Sequence, residues 1–197
     1  MMRLWNFTFL FSVASNNLNF TGIMKIFFFL FLFFISITSN VFSQTTHDKM
    51  LERLASLNGN WKGYLEYLDY SDGKTKVKLP ATCEAAFNKS GNDKYLFTKF
   101  VFDEGKGRTV TGEDAWTILD EKTFFFDSTN FAITKFDDNT DNTIFIFERE
   151  WMDNNKPCII KETFTIKSDY FSILKQVRYK EETDFFTRHE YVFNRVK

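Results

Sequence analysis

Gly59-Asn60-Trp61-Lys62-Gly63 opens a run of period-two sequence that lasts to the C-terminus, and its reading decides the fold. Trp61, Gly63, Leu65 and Tyr67 alternate with Lys62 and Glu66, the signature of a strand with one buried face. Ser71-Asp72-Gly73-Lys74 then supplies turn chemistry. Val77, Leu79, Ala81, Cys83, Ala85 and Phe87 alternate with Lys76, Lys78, Thr82 and Glu84, the clearest one-sided strand in the chain. Further strands are expected at Tyr95 to Phe102, Arg108 to Leu119, Thr123 to Asp127, Phe131 to Phe136 and Thr143 to Trp151. Cys158 to Lys167, Tyr170 to Tyr179 and Asp184 to Arg195 complete the set. Short polar links and about ten strands predict an all-β fold, an antiparallel up-and-down barrel or a sandwich.

Upstream of the Gly-x-Trp the period changes. Met50, Leu51, Leu54 and Leu57 form one apolar helical stripe, with Thr46 placed as N-cap and Asp48 in the first turn. A short leading helix over residues 44–58 is expected to close one end of the barrel formed by residues 59–197. Further upstream, Met24-Lys25 precedes the apolar run Ile26 to Ile35 and the small residues ending at Val41-Phe42-Ser43. This reads as a secretory signal peptide over residues 24–43, cleaved near Ser43. The apolar run is about half the roughly 20 residues a spanning helix needs. Residues 1–23 are expected to be a mis-assigned upstream extension, translation starting at Met24. The mature chain is then exported, to the periplasm or the extracellular space, with no integral membrane segment.

Residues 1–43 hold 2 of the 25 basic residues and none of the 26 acidic ones, so the remainder carries a net charge of 3 negative. Interspersed charges of both signs give no basic footprint for nucleic acid. An outer-membrane barrel needs an outward apolar band, whereas the face opposite Val77 to Phe87 carries Lys76, Lys78 and Glu84. Export would expose Cys83 and Cys158 to an oxidising compartment, where they either form one disulfide or stay as buried free thiols.

The exported chain, the leading helix, Gly59-x-Trp61 and the ten-strand meander together resemble the lipocalins and the wider calycin group, including fatty-acid-binding proteins. That resemblance implies a barrel whose Trp61 plugs one end beneath a basic side chain from the last strands, Arg188 or Arg195. An Arg plane over an indole gains apolar contact and cation–π attraction. Gly59-x-Trp61-x-Gly63 is also similar to the opening of nitrobindin-like haem barrels, which hold haem through a late-strand His. Here Tyr64-Leu65-Glu66-Tyr67 replaces the Gly-rich continuation of that group. His189 is thus expected as a structural residue, with haem ligation the alternative and no cofactor the leading expectation.

Several side chains are placed to line an interior. His189 shares a strand face with Phe185, Tyr191 and Phe193 in strict alternation, while Tyr67, Trp116 and Tyr179 bring polar tips on apolar strands. Glu162 falls on the face of Cys158, Ile160, Phe164 and Ile166, and Lys175 on that of Phe171, Ile173 and Val177. A buried charge costs several kcal/mol unless paired, so both are candidate lumen groups or a mutual pair. Asp137-x-Asn139-x-Asp141 with Glu148 mimics a calcium-loop spacing, but Asn142 replaces the turn glycine and the stretch reads as a polar hairpin. No metal site is expected. A single barrel His, no nucleophile with a base and no phosphate loop point away from catalysis. The sequence thus predicts a barrel binding a small apolar or amphipathic molecule; the alternative is a filled barrel acting as a structural or protein-interaction module of the envelope.

Overall fold

The computed structural model describes residues 46–90 and 93–197, which fall within one compact unit, Ser43–Lys197. The expected signal peptide and upstream extension lie outside the described residues. Helix α1 spans residues 46–55 and is followed by ten strands. These are β1 (Gly59–Leu68), β2 (Lys76–Asn88), β3 (Tyr95–Gly105), β4 (Arg108–Asp120) and β5 (Thr123–Phe126). They continue as β6 (Thr129–Asp138), β7 (Thr143–Asp153), β8 (Lys156–Ile166), β9 (Tyr170–Tyr179) and β10 (Phe186–Arg195). Every strand pairs antiparallel with its sequence neighbour, and β1 pairs with β10 to close the barrel. Closure leaves no sheet edge.

The Gly-x-Trp-x-Gly opening has a separate physical reason at each position. Gly59 adopts φ 133°, where a β-carbon would also lie 2.9 Å from an Arg195 nitrogen. At Gly63 a β-carbon would fall 1.8 Å from the Val192 carbonyl oxygen, so only glycine lets β10 lie this close to β1. Between them Trp61 is fully buried. Its Nε1 donates to the Leu57 carbonyl at 2.8 Å, and its ring meets Phe171 edge-on with centroids 4.8 Å apart.

Arg195 caps this end. Its guanidinium lies 4.1 Å from the Trp61 ring centre and donates to the carbonyls of Ser56, Asn58 and Ser168. The free carbonyls beyond the end of α1 are thereby satisfied by a cation, which the helix C-terminus favours. Met50, Leu51, Leu54 and Leu57 are all buried against the barrel, as the helical stripe predicts. Arg53 pairs with Asp138 on β6 at 2.7 Å, and His47 meets the Ile118 carbonyl at 3.0 Å, so α1 is tied to two further strands.

Two alternatives are resolved and two expectations change. Arg188 does not reach Trp61: it is buried with Asp153 and Tyr179, in contact with Tyr70 and Phe186. It lies at the far end of the β1–β10 seam, next to the Tyr67–His189 pair, and a register shift in β10 between Thr187 and His189 turns it inward. This bulge moves Phe185 off the face of His189, to lie under Lys161 and Arg178. Cys83 and Cys158 are buried free thiols and not a disulfide; burial pushes the Cys83 thiol up to about 12. The helix ends two residues before Leu57, in a turn.

The outer wall carries charge. Lys76 pairs with Glu66 at 3.0 Å, Lys99 with Glu113 at 3.6 Å, and Lys78 lies 3.4 Å from the Tyr64 ring centre. Among the described residues no helix is long and apolar enough to cross a membrane. The Asp137 to Asn142 stretch is a hairpin turn closed by Asn139 Oδ1, which accepts from the Asp141 and Asn142 amides.

Candidate functional site: a partly filled barrel interior

Phenylalanine fills the side of the lumen built by β5 to β8. Phe124 stacks on Phe147 with centroids 4.2 Å apart, and Phe147, Phe126 and Trp116 pack against Phe164 at 5.1, 5.2 and 5.3 Å. Opposite, between β3, β4 and β8 to β10, a cavity of about 280 Å³ remains. Its apolar wall is Phe100, Phe102, Trp116, Phe126, Ile173 and Tyr191. At Gly112 a β-carbon would meet nothing within 4 Å, so the missing side chain leaves part of that space open.

The polar wall is a row across three strands. Glu162 on β8 faces Lys175 on β9, and Lys175 faces His189 on β10. All three line the cavity. Glu162 is buried at 2% exposure and its Oε2 has no hydrogen-bond partner. Desolvation raises its carboxyl to about 8, against the pull of Lys175 and Arg149 toward ionisation. Desolvation, helped by the charges of Lys175 and Arg188, lowers His189 to about 3, so its ring is neutral. Burial also raises the Tyr191 phenol, whose ring lies 5.0 Å from His189. The lumen thus presents a protonated acid, a lysine and a neutral imidazole side by side.

These shifts oppose each other in stability. The contribution of Glu162 is full below its unfolded value of 4.5 and is lost as pH rises toward 8. That of His189 is full above 6.5 and is lost as pH falls toward 3. Each slope is about 1.4 kcal/mol per pH unit, so between 4.5 and 6.5 the two cancel. Glu162→Gln removes the alkaline arm. Its unfolding free energy should stay level from pH 6.5 to 8, while the parent protein loses about 2 kcal/mol over that range. Urea midpoints measured across this range check it, and equal losses in both proteins would refute the assignment.

Asp114 on β4 orders the cavity rim. It accepts from the Trp116 indole at 2.9 Å, from the Asp127 amide at 2.8 Å and from the Ala115 amide at 2.9 Å. Burial nevertheless raises its carboxyl. Asp127, at φ 51° in the tight turn between β5 and β6, is held over the cavity by that bond. Behind it Arg149 on β7 is 9% exposed, lies 4.5 Å from the Phe131 ring centre and 4.2 Å from that of Trp151, and approaches Asp127 at 4.0 Å.

Of the sequence-predicted residues, Trp116, Glu162, Lys175, His189 and Tyr191 meet at this one cavity. Tyr67 does not line it, although it pairs with His189 across the β1–β10 seam. Tyr179 donates instead to Asp153 at 2.8 Å, in the cluster with Arg188. Sequence reasoning missed Asp114, Phe100, Phe102 and Gly112. Phe100 and Phe102 carried a signal, since both alternate along β3 in phase with the buried Leu96 and Thr98.

No protein family and no curated protein matches the chain. Among solved structures it is similar to Rv2717c from M. tuberculosis, with a TM-score of 0.54 and 12% identity over 75% of this chain and 97% of that one. A second structure, a protein of unknown function of the DUF3598 family from Nostoc punctiforme, aligns at a TM-score of 0.35 and 16% identity, over 73% of this chain and 49% of that one. The first likeness shows the barrel fold alone.

Proposed function

We propose that this chain is an exported barrel, its leader removed near Ser43, that binds a small apolar or amphipathic molecule in its interior. One observation carries the reading: a fully buried carboxyl, Glu162, with a free oxygen, stands on the wall of an aromatic-lined cavity. An orphaned buried polar atom costs about 1–3 kcal/mol, and a ligand donor or acceptor would remove that cost. At about 280 Å³ the space lies just below the roughly 300–1,000 Å³ of drug-sized sites, so the ligand is small. Apolar contact at about 25 cal/mol per Å² supplies most of its affinity.

The lipocalin-like resemblance of the sequence agrees with this reading at the level of the barrel. A filled structural or protein-interaction module is the second reading, favoured by the phenylalanine packing on the β5 to β8 side. Haem through His189 finds a neutral ring on the cavity but a poor fit around it. Glu162 and Lys175 continue the row beside that ring, and the void is too small to enclose a porphyrin. No catalytic role is proposed.

Native mass spectrometry of protein purified from its own host tests the choice. A retained mass that leaves on denaturation supports a carrier; the bare chain mass, with no small molecule taken up from an extract of that host, supports the filled module. A Soret band would restore the haem reading.

A further inference from the structure

The lumen also says what charge its ligand carries, given the ligand-binding reading on which this inference rests. Four carboxyls line the cavity, Glu113, Asp114, Asp127 and Glu162. Glu113 points to Lys99 outside at 3.6 Å, and Asp127 lies 4.0 Å from Arg149. Asp114 already accepts three N–H donors. Glu162 is the remaining one, and it stands between Lys175 on β9 and Phe147 on β7 in register. Lys175 has no carboxylate within 4.0 Å among the described residues, and it faces the cavity between Glu162 and His189.

We propose that the cavity takes a small organic monoanion, its head group seated on Lys175 and flanked by the Glu162 carboxyl and the His189 imidazole, its apolar body against Phe100, Trp116 and Phe126. Three side chains in a row then donate to one acceptor: the ammonium, the carboxylic O–H and one imidazole N–H. A cation would instead be repelled by Lys175 and find Asp114 already occupied. The protonated state of Glu162 supports this arrangement, because an ionised Glu162 would compete with the ligand for Lys175. The groups facing Glu162 are Lys175 on β9, Arg149 on β7, Asp127 in the β5–β6 turn and Tyr191 on β10. Neither positive charge among them outweighs desolvation.

Calorimetric titration of the intact protein with three isosteric probes decides it: naphthoate, naphthamide and naphthylmethylammonium. Naphthoate should bind one to one and tightest. Its affinity should drop about ten- to a hundredfold in Lys175→Met, the scale of one lost charged hydrogen bond, with naphthamide affinity little changed. In the parent protein naphthoate binding should weaken as pH rises through 8, where Glu162 ionises, and in Glu162→Gln it should not. Should Lys175→Met fail to fold, the probe order and the pH arm decide alone. Naphthamide or the ammonium binding as tightly as naphthoate overturns the monoanion while leaving ligand binding intact. If none of the three binds, the monoanion proposal falls, and the retained mass in native mass spectrometry decides the carrier reading separately.

Discussion

Trp61→Ala should cost about 3–5 kcal/mol of unfolding free energy, the range for a fully buried large aromatic. Three losses combine in it: the edge contact with Phe171, the cation–π stack with Arg195, and the indole bond to the Leu57 carbonyl. The last leaves a buried acceptor, two residues beyond the end of α1, without its donor. Because Trp61 does not line the cavity, ligand affinity measured where the variant is still folded should hold within about threefold, under 1 kcal/mol. Urea unfolding followed by circular dichroism gives the stability. A variant of normal stability that has lost binding would move Trp61 from plug to site.

Asp153→Ala should be comparably severe, at about 3–5 kcal/mol, by a different mechanism. Arg188 and Asp153 are 4% and 6% exposed and paired, with the Tyr179 hydroxyl donating to the same carboxylate. Arg188 Nε already lacks a hydrogen-bond partner. Removing the carboxylate leaves a buried guanidinium with no counter-charge, and breaking a buried pair from one side is far costlier than replacing both members with apolar groups. The double variant Asp153→Ala, Arg188→Met should therefore recover most of the loss. If the single variant unfolds within about 1 kcal/mol of the parent, the pair is not structural.

The strand count was legible because ten segments alternate with period two and turn residues separate them, which is local information. The Trp61 plug was legible too, since the helical stripe, Gly59 and the indole are contiguous in sequence. Which arginine caps it was not. Arg188 and Arg195 differ by seven residues, an odd number that strict alternation sends to opposite faces, yet both turn toward the interior. The bulge at Thr187 to His189 reconciles them, and nothing in that segment, Phe186-Thr187-Arg188-His189, announces it. The site divided in the same way. Glu162, Lys175 and His189 lie on three strands whose faces could each be read, but their meeting in one row depends on strand register. Asp114 was missed because a carboxylate in a polar stretch reads as solvent-facing until its three donors are seen.

The β1–β10 seam has a consequence for how the chain is made. Closure joins the first strand to the last, with Gly63 against Val192 and Tyr67 opposite His189. Until β10 has emerged, the growing polypeptide holds an unfinished sheet with two bare edges, at β1 and β9. Such edges recruit other strands, and contacts this distant in sequence form slowly. This topology withholds its final lock until β10, Phe186–Arg195, has arrived.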